Sequence, residues 1–204
     1  MTKEAKRMTD DEILAVLEET QAIRRGHFRL TSGRHSDTYI QCARVLEHPR
    51  LSLTLAAETV ARLPEDIQQA VDLVVSPAVG GILFGFAVAV ALDKRIIFTE
   101  RENAVMVLRR SFEIPPGANV LIAEDVVTTG GSVKEVESLV LASGGEVLGV
   151  VSLIDRGGAP VFAAPFYPLL HLKTPSWEPE TCFLCEKGLE IYAPGSRNLA
   201  KHPV

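Results

Sequence analysis

Two adjacent carboxylates, Glu124 and Asp125, close the apolar run Val120-Leu121-Ile122-Ala123 and are followed by Val126, Val127, Thr128, Thr129, Gly130, Gly131 and Ser132. Carboxylates accept hydrogen bonds from sugar hydroxyls and ligate Mg²⁺. A loop of threonine, glycine and serine leaves backbone N–H groups free to meet an anion. Together they could hold a ribose phosphate by both ends, the acids on the hydroxyls and the loop on the phosphate. The nucleotide motifs in common use do not fit. A P-loop needs Gly-Lys-Ser/Thr, which is absent, and no Gly-x-Gly-x-x-Gly opens the chain's first strand-to-helix turn.

These residues need a strand and a helix to position them. The apolar run is short and rich in Val and Ile, as in a buried strand. Val133, Val136, Leu139 and Val140 then recur with helical spacing. The loop therefore sits at a helix N-terminus, where unpaired N–H groups and the helix dipole favour phosphate. An ordinary turn with an N-cap serine is the plain alternative, but it leaves two acids at a strand's end unexplained.

A second strand-loop-helix follows the same plan: Leu73 to Ser76, then Pro77-Ala78-Val79-Gly80-Gly81, then a helix from Ile82 to Leu92. The glycines permit close approach of an anion, or simply a tight turn. The stretch from 73 to 92 carries no charge and is long enough to span a bilayer. Ser76-Pro77 and Gly80-Gly81 cut it into strand and helix, so it reads as buried core and no membrane partner is expected. Arg95 to Thr99 is another strand, followed by a short charged turn and an apolar run with Arg101, Arg109 and Arg110. The strand Val147 to Ile154 ends in Asp155-Arg156-Gly157-Gly158. That end is the ligand edge of an open α/β sheet, although a surface turn would look alike. Phe166 to Leu172 is expected to form a late strand.

Toward the N-terminus, Thr9 and Glu12 form a capping box. Ile13, Leu14, Val16, Leu17 and Ile23 continue the helical spacing, with Gly26 as the expected stop. Residues 26–41 read as strand, turn and strand, with Thr31, Ser32 and Gly33 at the turn. His48-Pro49 breaks the chain, Leu51 to Leu63 is helical, and Pro64 to Gln69 is expected to be a loop. Cys182 and Cys185 make a C-x-x-C with no second pair, half of a zinc site at most, and read as structural cysteines. His27 likewise reads as structural. Residues 194–204 read as a loose tail.

The whole chain bounds these readings. Its 204 residues, 47% hydrophobic and 23% charged, suit one domain with a full core. A net charge of −5 argues against a basic nucleic-acid footprint. The charged start Met1 to Arg7 is unlike a signal peptide. Three cysteines, an odd number, suit a reducing compartment, so the cytoplasm is the expected location.

The motif from Val120 to Ser132 resembles the 5-phosphoribosyl 1-pyrophosphate (PRPP) signature of type I phosphoribosyltransferases. Leu30-Thr31-Ser32-Gly33-x-x-Ser36-x-x-Tyr39 resembles the orotate phosphoribosyltransferases in particular. The resemblance implies an α/β fold of the type I phosphoribosyltransferase kind, a mostly parallel central sheet flanked by helices with a small N-terminal hood. One domain over 1–204 is expected, with hood segment 1–45, core 50–172 and C-terminal extension 173–204. The implied reaction joins orotate to PRPP. Glu124 and Asp125 would hold the ribose hydroxyls or Mg²⁺-bound water, and Val126 to Ser132 the 5′-phosphate. Ala78, Val79, Gly80 and Gly81 would cradle pyrophosphate. Arg156, Thr128 and the turn Thr31–Gly33 would select the base.

Arg101 would supply the cation of the catalytic loop, so Asp125, Glu124 and Arg101 form the implied catalytic set. Mg²⁺ is implied as cofactor, held mainly by PRPP and pyrophosphate rather than by protein ligands. A homodimer sharing its active-site loop across subunits is implied as well. The chain departs from many relatives in having Val79 and Gly80 where they carry an aromatic residue and a lysine, and in a shorter loop at 100–110. Two rival readings stand: transfer to another base, and a PRPP-sensing regulator without catalysis. The regulator would need a DNA-binding domain, whereas one helix precedes the hairpin here and the chain is acidic.

Overall fold

The computed structural model describes residues 7–158 and 161–194. In chain order the elements are α1 (Asp10–Glu19), β1 (Ile23–Arg29), β2 (His35–Ile40), α2 (Ala43–Leu46), α3 (Pro49–Ala61), α4 (Glu65–Ala70), β3 (Leu73–Pro77) and α5 (Gly80–Leu92). They continue with β4 (Arg95–Glu102), β5 (Val105–Leu108), β6 (Asn119–Val127), α6 (Gly131–Ala142), β7 (Glu146–Asp155) and β8 (Phe166–His171). A 3₁₀ turn (Pro179–Thr181) and α7 (Phe183–Glu186) end the list. The tail expected over 194–204 lies, but for Pro194, outside the described residues.

The main sheet has six strands in the order β5-β4-β3-β6-β7-β8. All neighbours are parallel except the edge pair β4–β5. Both faces are covered, so the strands are apolar on both sides. Val74, Leu121, Ala123 and Val151 face a core shared with α1, α3 and α5. Their neighbours Leu73, Val75, Val120, Ile122 and Val150 face Val133, Val136 and Val140 of α6. The alternation is the period of two that a pleated strand imposes.

The strand order reverses between β3 and β6. One connection leaves β3 toward β4 and the other arrives at β6, so the crevice at their carboxyl ends is the topological switch point, the usual ligand position in open α/β sheets. Both glycine-bearing loops of the sequence open there.

A second, two-stranded sheet, β1–β2, forms the expected hairpin. Gly33 has φ 85° in its turn, a backbone that favours glycine. The C-terminal extension covers both edges of the hairpin. His35 and Trp177 exchange backbone hydrogen bonds at 2.8 Å, and Tyr192 pairs with His27 and Arg29 at 2.8 Å. Such covering satisfies edge groups that would otherwise be open.

Two sequence expectations need correction. The first helix stops at Glu19 instead of running to Gly26. The Thr20 hydroxyl bonds back to Val16 O at 2.8 Å, and Gln21 turns the chain with φ 58°. Ile23, which fitted the helical spacing, starts β1. Residues 65–70 are a helix, not a loop. It buries no residue, so it has no apolar stripe to read; Glu65 and Asp66 in its first turn suit the dipole instead.

Candidate active site

Gly130, with φ 75°, lets the chain turn abruptly from β6 into α6. No side chain caps α6, so its first N–H groups remain available to a ligand. Thr128, Thr129, Gly130, Gly131, Ser132 and Val133 line a cavity of about 340 Å³ with Arg101, Glu124 and Glu135. Its small, uncapped, N–H-rich floor has the size and polarity for a phosphate.

Arg101 lies on β4, opposite Met106 of β5. The stretch expected as a short loop is mostly hairpin, closed by Asn103 and Ala104 with φ 48° and 66°. Arg101 donates to both Glu135 oxygens at 2.9 Å and to Ala104 O at 2.6 Å. A two-point guanidinium–carboxylate contact fixes the cation at the rim of the cavity.

The acid pair stands between the two loops. Asp125 N–H donates to Glu124 Oε1 at 3.1 Å, and Val126 N–H to Asp125 Oδ1 at 2.9 Å. The loop Ala78–Gly81 runs directly against these carboxylates. A Cβ on Gly80 would lie 2.8 Å from Asp125 Oδ1, and one on Gly81 2.9 Å from Glu124 Oε1 and 3.1 Å from Ala123 O. A side chain at position 80 would require the Asp125 carboxylate to shift. Val79 is solvent-facing, and Ala78 N–H is anchored on Thr99 O at 2.8 Å.

Burial, with the Asp125 charge next in weight, pushes the Glu124 carboxyl up to about 9. Glu124 is therefore protonated at neutral pH. The sign for stability follows: between about pH 4.5 and 9 the folded chain holds a proton that the unfolded chain has released. Stability from this group is complete below the unfolded value and is lost as pH rises toward 9. Glu124→Gln removes the titration, so wild type should lose about 2–5 kcal/mol relative to the variant between pH 5 and 9. Denaturant titrations across that range check it; parallel pH profiles for the two proteins would refute the assignment.

A second cavity, of about 740 Å³, adjoins the first and shares Thr128 and Thr129 with it. Thr31, Ser32, Arg29 and Arg34 come from the hood, Arg156 from the end of β7, and Thr174 and Ser176 from the extension. Arg156 Nε–H donates to Thr174 Oγ1 at 3.0 Å, and its backbone N–H to Val127 O at 2.9 Å. Its terminal nitrogens have no partner among the described residues. Burial lowers the Arg156 pKa below its ordinary value, the sign of a cation deprived of water. An anionic ligand would offset that loss. Asp155 steadies the turn by accepting from Gly157 N–H at 2.9 Å and by pairing with His171.

Of the residues the sequence singles out, Thr31, Ser32, Thr128 and Arg156 meet in this cavity, while Gly33 shapes the turn without lining it. Glu124, the loop 126–132 and Arg101 meet in the first cavity, and Ala78–Gly81 back onto the acid pair. Sequence reading does not single out Arg29, Arg34, Thr174 or Ser176. The two arginines flank the Thr31 turn and carry a signal, basic residues beside a candidate anion site. Thr174 and Ser176 carry none, since only the return of the extension across the hood brings them there.

Comparison with known proteins identifies the family. Residues 44–164 match the model of the phosphoribosyl transferase domain family. The chain is 47% identical over 191 residues to an orotate phosphoribosyltransferase of Heliobacterium modesticaldum, covering 93% of this chain and 100% of that one. It is 49% identical over 193 residues to the orotate phosphoribosyltransferase of Pelotomaculum thermopropionicum, covering 94% and 100%. Among solved structures, the orotate phosphoribosyltransferase of Aeropyrum pernix superposes with a TM-score of 0.68 at 24% identity, over 79% of this chain and 94% of that one.

Proposed function

This chain belongs to the phosphoribosyl transferase family and, within it, to the orotate phosphoribosyltransferases, and from that premise we infer how its residues divide the work. The reaction transfers the 5-phosphoribosyl group of PRPP to orotate, giving orotidine 5′-monophosphate and pyrophosphate, a step of pyrimidine nucleotide synthesis. The observation that carries the assignment of residues is the pair of adjoining cavities at the switch point. One ends on an uncapped helix N-terminus, the other on a desolvated arginine, and Thr128 and Thr129 belong to both.

In this reading the N-terminus of α6 and the loop Thr128–Ser132 bind the 5′-phosphate. Glu124 and Asp125 receive the ribose hydroxyls. The backbone of Ala78–Gly81, pressed against those acids, cradles pyrophosphate. Arg156 grips the orotate carboxylate while Thr31 and Ser32 close over the ring. The C1′–O bond to pyrophosphate breaks as the C1′–N1 bond forms, and N1 loses its proton. The transition state resembles an oxocarbenium ion, which needs positioning and charge stabilisation more than a nucleophilic side chain. N1 of orotate is already acidic, so no dedicated base is required. Arg101, which Glu135 holds at the rim of the first cavity, is the cation for the charge that develops on the departing pyrophosphate, and it would exchange Glu135 for that charge.

The donor set suits Mg²⁺: two carboxylates beside a phosphate cradle, with oxygen ligands throughout. Burial holds Glu124 protonated, and a cation nearby would favour its release of that proton. Magnesium would neutralise charge on the leaving pyrophosphate, with the PRPP and pyrophosphate oxygens as its main ligands and the acid pair beside them. An absorbance assay with protein, Mg²⁺, PRPP and orotate tests the whole reading, with loss of the orotate signal expected. No turnover at high enzyme concentration would defeat it.

We further assign a homodimer. Helix α5 is apolar on every side, a pattern of helices buried all round. Yet Leu83, Phe86 and Val90 on it are each more than half exposed in the single chain. A second copy of the chain, related by a two-fold axis, would cover them. Leu83→Glu with Phe86→Glu should halve the mass measured by light scattering; an unchanged mass would overturn the assignment. No described helix is long and apolar enough to cross a membrane, and three free cysteines suit the reducing cytoplasm, where we place the reaction.

A further inference from the structure

Away from the active site, His27, His35, Cys182 and Cys185 bring one donor atom each to within 4.8 Å of one another. His27 Nε2 lies 3.0 Å from His35 Nδ1, 3.5 Å from Cys182 Sγ and 3.7 Å from Cys185 Sγ. Cys185 Sγ lies 3.3 Å from His35 Nδ1. We propose that these four residues hold a structural zinc ion that fastens the hood hairpin to the C-terminal extension.

Four of the six donor separations are close to the edges of a zinc tetrahedron, and all six are within 4.8 Å. Zn–N bonds of about 2.0–2.1 Å and Zn–S bonds of about 2.3 Å require edges of about 3.3 Å between nitrogens and about 3.5 Å between nitrogen and sulfur. The four separations given above depart from those edges by a few tenths of an ångström, and closing the remaining two onto a metal takes a small movement of side chains. The donor set, two imidazoles and two thiols, is a standard closed zinc set with no open position for a substrate. His27 Nδ1–H donates to Leu189 O at 2.9 Å, which leaves the lone pair of Nε2 facing the other three donors. A backbone carbonyl that fixes the tautomer in this way is the usual outer partner of a metal-bound histidine. His27, His35 and Cys182 are buried, and only Cys185 reaches the surface.

Each ligand is aimed by its local fold. A register shift in β1 between Arg25 and Phe28 interrupts the alternation, so His27 and Phe28 are both buried although adjacent. Cys182 is the N-cap of α7 and Cys185 stands one turn on, which turns both sulfurs to one side. Backbone hydrogen bonds join the hairpin to the extension, but little apolar core does. A two-stranded hairpin is marginal by itself, and from the extension over 173–194 only Cys182 and Leu184 join the buried apolar set of the described residues. A metal replaces the missing core in such small units. The cross-link would hold the turn Thr31–Ser32 in register with Thr174 and Ser176, the facing walls of the second cavity.

The test is metal content, independent of catalysis. Untagged protein purified under reducing conditions from zinc-supplemented cells should carry about one zinc per chain by mass spectrometry. Cys185→Ser should reduce this to background, and Cys42→Ala should leave it unchanged. Because a ligand variant can misfold, wild-type protein stripped by chelator is also titrated with cobalt(II). Tetrahedral ligand-field bands and a thiolate charge-transfer band saturating at about one equivalent are expected. Wild-type zinc no higher than in Cys185→Ser, absence of the cobalt bands, or a Cys182–Cys185 disulfide in the freshly purified protein would each overturn the proposal.

Discussion

Arg156→Ala will raise KM for orotate about 30- to 1,000-fold while KM for PRPP stays within a few-fold. The reason is the state of the guanidinium in the free protein. It is half withdrawn from water, oriented by Thr174 through Nε, and its terminal nitrogens have no partner among the described residues. A carboxylate that docks there gains a two-point, charge-assisted contact with little further ordering of the arginine. Removing one side of such a partly buried pair costs about 2–4 kcal/mol, the source of the stated range. The effect should be confined to the carboxylated base. With uracil, which has no carboxylate, wild type and variant should differ little. Equal KM values for orotate in the two proteins would sink the clamp. Arg156→Lys should recover only part of the loss, because an ammonium cannot make the forked contact.

Gly158→Ala, a change of one methyl group, will lower kcat/KM about 100-fold or more. A Cβ at this position would lie 2.0 Å from Thr128 O and 2.7 Å from its carbonyl carbon. These are backbone atoms at the head of the loop proposed to bind phosphate, so no flexible side chain can give way. The loop must shift by about an ångström, and displacement of that size in a positioning element costs about two orders of magnitude in rate. Since Thr128 borders both cavities, KM for PRPP and for orotate should rise together, which separates this variant from Arg156→Ala. Wild-type kinetics in Gly158→Ala would mean that the loop is not held by the turn after β7.

How much of this was legible beforehand depends on the range of the interactions. The strand Val120–Val127 and its loop could be read because burial on both faces requires an unbroken apolar run, and an abrupt turn into a helix requires small residues at the helix start. Those are local demands, written in adjacent positions. The hairpin at 31–33 was legible for the same reason. Helix α4 was not, because it buries nothing and so leaves no periodic trace. The end of α1 was misplaced because Ile23 satisfies the helical period by chance, while the turn at Gln21 is a matter of backbone angle. Cys182 and Cys185 looked like half a site because their imidazole partners lie on the hairpin, 150 or more residues upstream.

By itself, then, the order of residues determined the alternation of strand and helix, the glycine-bearing loop with its acid pair, and the resemblance that pointed to orotate. Tertiary structure decided which of these elements meet. The reversal of strand order between β3 and β6 puts the two glycine-bearing loops side by side. The return of residues 174–192 across the hood makes a wall of the second cavity and completes the four-donor cluster. Local pattern is set by what one segment must bury, and sequence displays it directly. Juxtaposition is set by how chain segments far apart in sequence cover one another's apolar faces and open edges, and no single stretch carries that information.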